Sequence, residues 1–177
     1  MAASRLARAV LVLALAERCA ATLVPPSDPA LFFSPSNWHV TPTLASAINP
    51  GAYLKFSFTG STSVALSMDA MPCLWDGCMT LAYSVDDEPM RLVKAPSHSA
   101  TVGAAVSVPL ANAKNGTLNS STTHTVVLHI YNAIQFGNRW RDLGLKPYVD
   151  QRQALMVRGV LLDDGAKLQV RFFGSFL

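Results

Sequence analysis

From residue 52 onward, apolar and polar positions alternate in short runs. In "AYLKFSF" Leu54, Phe56 and Phe58 point one way, and Tyr53, Lys55 and Ser57 the other. "SVALSM" repeats the pattern with Val64, Leu66 and Met68, and "MTLAYSV" with Met79, Leu81, Tyr83 and Val85. "AVSVPL", "HTVVLHIY", "LMVRGVLL" and "AKLQVRFF" follow. A period of two places successive side chains on opposite faces of a strand. Turn-forming clusters separate the runs: "NPG" at 49–51, "TGS" at 59–61, "DDEP" at 86–89, "KNG" at 114–116 and "DDG" at 163–165. No long amphipathic helix follows the first segment. Many short alternating strands divided by turns predict an all-β fold, an antiparallel β-sandwich or jelly roll.

The N-terminus breaks this pattern. "MAASRLAR" is basic, "AVLVLALA" is a short apolar run, and "ERCAAT" supplies small residues. That order is that of a secretory signal peptide. The apolar run falls well short of the about 20 residues that span a bilayer. Cleavage after Ala21 leaves a mature chain starting at Thr22, secreted and with no membrane segment. The competing reading is an uncleaved anchor helix. The chain divides into residues 1–21 (signal), 22–31 (Pro-rich lead-in, from "TLVPPSDPA"), 32–169 (sandwich) and 170–177.

Composition matters once the signal is set aside. Removing Arg5, Arg8, Arg18 and Glu17 takes the balance of basic to acidic residues from 14 against 11 to 11 against 10. No basic run remains to argue for nucleic acid. Cys19 leaves as well, so Cys73 and Cys78 form an even pair. In an oxidising compartment such a pair reads as a disulfide. Two free thiols, or half of a zinc site, are the alternatives, and no histidines at ligand spacing complete a metal set. The polar run "NAKNGTLNSSTTH" holds two glycosylation sequons, at Asn115 and Asn119. No motif calls for a cofactor.

Several pieces, in order, resemble a known family: "FSPSNWHV", "NPGAYLKFSFTGSTSVALSMD", "LAYSVDDEP", "HTVVLHIYNA" and "RGVLLDDGAKL". Together they are similar to the N-terminal jelly-roll domain of SGNH-type esterases like carbohydrate-esterase family two, over roughly residues 32–168. The resemblance implies a hydrolase domain following residue 168, one that removes acetyl groups from polysaccharides. That domain opens with a strand and Gly-Asp-Ser, whose serine is the nucleophile. Here "VRFFGSFL" resembles that strand, with Gly174-Ser175-Phe176 in place of the motif. Two expectations follow: a truncated esterase, or a stand-alone carbohydrate-binding or cell-surface module with a remnant at 170–177.

Acyl transfer by serine needs a base and oxyanion donors. Ser175 has no Asp-x-x-His after it, so no catalytic residue is assigned to this chain. "PCLWDGCM" places Trp75 and Asp76 between the two cysteines. A ring that packs on sugar C–H faces, beside a carboxylate that accepts hydroxyls, suits a carbohydrate contact. Equally, Trp75 covers the end of the sandwich or packs on a partner domain. In "GNRWRD", Arg139 and Trp140 read as a polysaccharide or interdomain contact, or as an Arg–Asp surface pair with Trp140 capping the core. His129 falls between core-facing Leu128 and Ile130, hence on the solvent face.

Overall fold

A computed structural model describes residues 21–70, 79–95, 104–112, 114, 116–132 and 154–170. Among the described residues, twelve strands form two antiparallel sheets packed face to face. The longer ones are β5 (Tyr53–Thr59), β6 (Val64–Asp69), β7 (Thr80–Val85), β9 (Ala105–Ala111), β10 (His124–Asn132) and β11 (Leu155–Asp163). With β4 (Ala45–Ala47) and β8 (Arg91–Lys94) they give four-strand cores of order β4-β11-β6-β9 and β5-β10-β7-β8. Eight consecutive strands dealt between two sheets in this order make a jelly roll.

The lead-in is more structured than its proline content suggests. Its β1 (Ala21–Val24) pairs with the C-terminal half of β11, and β2 (Phe32–Phe33) pairs with β5. β3 (His39–Val40) extends the first sheet beyond β4, and β12 (Lys167–Gln169) pairs with β5 in the second. The described part of "AKLQVRFF" is this β12, which leads into exposed Val170. Residues 171–177, with Ser175, lie outside the described residues.

The alternation does build the core. Leu54, Phe56 and Phe58 are fully buried, in register with Leu128, Val126 and His124 of β10. Val64, Leu66 and Met68 of β6, in the other sheet, belong to the same core cluster. Burying each such side chain contributes about 1.5–3 kcal/mol. β11 keeps its inward set in spite of a phase break. Leu155 and Val157 point inward, a bulge falls between Val157 and Gly159, and Val160 and Leu162 point inward again. The extra residue is Arg158, and a bulge is what lets one strand skip a position without turning its core face outward.

Connections between strands sort by end. The loops after β5, β7, β9 and β11 lie at the end where Thr59 meets Lys167 and Asp163 meets Thr62. The sequon stretch is among them, so this is termed the sequon end. At the opposite end, β6 and β8 finish where Ala70 N–H bonds Ala104 O (2.8 Å) and Ala95 N–H bonds Met79 O (2.8 Å). β10 finishes there too, with Asn132 level with Thr80, and β11 begins there, with Leu155 level with Ala47. The described residues flanking segments 71–78, 96–103 and 133–153 therefore all lie at one end of the sandwich, termed the long-segment end.

Candidate functional site

The sequence-predicted contacts Trp75 and Asp76, the pair Cys73 and Cys78, Arg139 with Trp140, and Asn115 lie outside the described residues. Their segments are rooted at the long-segment end, except that of Asn115. The described side chains at that end form a mixed aromatic and polar surface.

On the outer face of the second sheet, one rung across four strands reads Tyr53, His129, Ala82 and Leu92. The Tyr53 ring lies 5.6 Å from the His129 imidazole and 6.0 Å from Phe32. Ser34 fixes the backbone beneath: its N–H donates to Tyr53 O (2.9 Å), and its hydroxyl accepts from Tyr53 N–H (3.1 Å). Ala82 is a small floor residue, and Leu92 beside it is 60% exposed. Tyr131, at the irregularity between Ile130 and Asn132, is 63% exposed. Burial holds the His129 pKa below its ordinary value, so the ring is neutral at neutral pH. Half-buried rings with a neutral imidazole suit an uncharged, amphipathic ligand better than an ion.

On the first sheet, the bulge turns Arg158 outward, where its Nε–H donates to the Asp69 carboxylate. Asp69 is largely buried and immediately precedes Ala70, the root of segment 71–78. Trp38 packs on Phe33 at 5.0 Å and is partly buried against the core.

Two further networks sit at the sequon end, and the pattern reading missed both. Asp163 accepts from the Thr62 N–H (2.7 Å), the Thr62 hydroxyl (2.7 Å) and the Ser63 hydroxyl (2.7 Å). Burial alone would raise its pKa, but these bonds and the Ser61 hydroxyl hold it below the ordinary carboxylate value. His124 Nδ1 lies 2.5 Å from Asp86 Oδ2, and its Nε2 lies 3.0 Å from Thr122 Oγ and 2.8 Å from the Asn119 carbonyl. Carboxylate, imidazole and hydroxyl in line have the layout of an acyl-transfer triad. The Asn119 carbonyl decides against that chemistry. It can only accept, so Nε2 carries a proton and cannot take one from Thr122. Thr122 itself donates to the same carbonyl (2.9 Å). "DDEP" and "LLDDG" are turn residues, as their composition predicts, yet each also anchors a partner far along the chain. The available signal was His124, which shares the inward phase of Val126 and Leu128.

Asn119, the described sequon residue, is exposed, and its side-chain oxygen accepts from Ser121 N–H (3.0 Å) and Ser121 hydroxyl (2.8 Å). Among the described residues, no three His, Cys, Asp or Glu side chains lie together as a metal-ligand set.

No protein-family model matches the chain, and no curated protein matches it in sequence. Solved structures do share its fold. A family two carbohydrate esterase from Cellvibrio japonicus superposes with a TM-score of 0.52 at 14% identity, over 81% of this chain and 33% of that one. A two-domain esterase active on acetylated mannans gives 0.55 at 8% identity, over 81% and 36%. A salicylyl-acyltransferase from a tetracycline biosynthetic pathway gives 0.53 at 16% identity, over 87% and 42%. The chain thus spans about a third to two fifths of the length of these neighbours. At such identities the likeness is one of fold: the all-β sandwich expected from the sequence is also found in carbohydrate esterases.

Proposed function

We propose that the chain is the accessory N-terminal β-sandwich domain of a secreted SGNH-type carbohydrate esterase. A companion hydrolase domain removes acetyl groups, and this domain holds polysaccharide at its long-segment end. The observation that carries the reading is the shared fold with two carbohydrate esterases, of which this chain spans only 33% and 36%. The ordered motifs from "FSPSNWHV" to "RGVLLDDGAKL" support the same placement. So does His124, whose ring nitrogens are both engaged and leave no base for hydrolysis there. Tyr53 and His129 form the described part of the polysaccharide surface, and Trp75, Asp76, Arg139 and Trp140 add to it from segments rooted nearby. Residues 1–21 are removed on export, Cys73 and Cys78 are joined, and Asn115 and Asn119 carry glycans.

Sequencing the transcript beyond the Leu177 codon tests this reading. A frame encoding a strand with Gly-Asp-Ser and a later Asp-x-x-His supports it. A stop codon followed by unrelated sequence overturns it and leaves a stand-alone carbohydrate-binding or cell-surface module.

A further inference from the structure

His124 opens β10 with its side chain turned inward, and the residue is only 6% exposed. Its ring meets three separate pieces of chain. Phe58 of β5 stacks beside it at 5.6 Å, Asp86 approaches from the turn after β7, and Asn119 and Thr122 approach from the sequon loop. Asp86 sits in left-handed backbone (φ 53°) and is itself fixed to β10. Its N–H donates to Thr125 O (2.8 Å), and its Oδ1 accepts from Thr125 N–H (2.8 Å). The carboxylate is therefore aimed at the ring by backbone bonds and does not swing freely.

Counting protons fixes the state of this group. Asn119 O accepts only, so Nε2 bears a hydrogen. A neutral imidazole then has a bare lone pair at Nδ1, set against a carboxylate oxygen at 2.5 Å. That arrangement is repulsive unless a second proton lies between the two atoms. The closed geometry thus requires the doubly protonated pair.

We propose that Asp86 and His124 form a proton-operated latch that closes the loop carrying the Asn119 sequon onto the turn after β7 and opens when the pair loses its shared proton. The opening releases Asn119 O and Thr122 from the ring, and with them the hold on the loop that carries them. Other charged groups near the ring do not compete for this role. In the same turn Glu88 is paired with Arg91, and Asp87 is exposed. On β12 the residue level with Phe58 is uncharged Leu168, and Lys167 stands level with Thr59. Burial alone would lower the ring's pKa, but the hydrogen bond and charge of Asp86 and the bond to Asn119 raise it above 6.5. A raised value means the latch contributes fully below the ring's ordinary pKa and is lost as pH rises through the higher, folded value. The inference is independent of the esterase reading, since it concerns only this chain.

The test is a pH titration of the histidine ring protons of the purified chain by NMR, with amide exchange measured across Gly116–Thr125. We expect His124 to titrate above 6.5 while His129 titrates below it, and exchange in the loop to rise faster than the intrinsic base-catalysed rate once His124 deprotonates. Asp86→Asn should lower the His124 midpoint and remove the extra rise in exchange. Overturning results are a His124 midpoint at or below 6.5 in the unaltered chain, or loop exchange that follows the intrinsic rate throughout. The unaltered chain alone decides the question if the variant does not fold.

Discussion

Gly159 lies directly under the carbonyl of Val24: a Cβ built on Gly159 would stand 2.1 Å from that oxygen. Its backbone is also in a region that side-chain-bearing residues rarely adopt (φ 148°). The bulge in β11 and the docking of β1 thus meet at one residue without a side chain. Gly159→Ala should cost about 2–3 kcal/mol, from strain and from loss of β1 pairing together. Thermal melts should show the fall, and limited proteolysis should cut first near Leu23. A melt unchanged from that of the parent chain would mean that β1 does not pack there.

Asp163 ties "TGSTS" to the turn after β11. Its pKa is depressed in the fold, so its stabilisation is complete above the unfolded carboxylate value and is lost as pH falls through the lower, folded one. Melting temperature should drop on acidification from about pH 5 to about pH 3, and less steeply in Asp163→Asn. The variant itself should lose about 1–3 kcal/mol at neutral pH, since three donors lose a charged acceptor. Parallel pH profiles of parent and variant would rule this out.

Tyr53→Ala should weaken binding to acetylated polysaccharide about tenfold, or ~1.4 kcal/mol, with little change in the melt. Affinity electrophoresis against neutral and acetylated mannan or xylan measures it. His129→Ala should act in the same direction. If both variants bind as the parent does, the Tyr53 face takes no part, and Trp75→Ala becomes the next variant to measure.

Peptide mapping without reductant should recover Cys73 and Cys78 in one linked fragment. The enclosed loop is short, so the bridge should contribute only about 2 kcal/mol in the chain-entropy model. Free thiols at both positions would reject it.

The sequence made the long strands plain because each buries every second residue, as in Leu54, Phe56 and Phe58. Strands of two to four residues, such as Phe32–Phe33 and His39–Val40, are too short to show a period. They exist because a longer neighbour offers an open edge. The break at Arg158 and Gly159 was hidden for a related reason: a bulge reads as a fault in alternation until the partner strand is known. The two carboxylate networks were less accessible still. Asp86 and His124 are 38 residues apart, and Asp163 and Thr62 are 101 apart. Only the inward phase of His124 pointed to a buried partner. The aromatic rung at Tyr53 depends on cross-strand register, which no single strand encodes.

Segments 71–78, 96–103 and 133–153 are all flanked by described strand termini at one end of the sandwich. Each joins described strands whose register is set by pairing with their sheet neighbours, so a residue inserted between them leaves that pairing as it is. That end can therefore diversify in length and chemistry while the sheets stay as they are, much as hypervariable loops do on an immunoglobulin frame. The sequon end has no such freedom, since Asp163, Asp86 and His124 bind its loops to one another. Laboratory selection for a new ligand should accordingly randomise the first end and leave the second untouched.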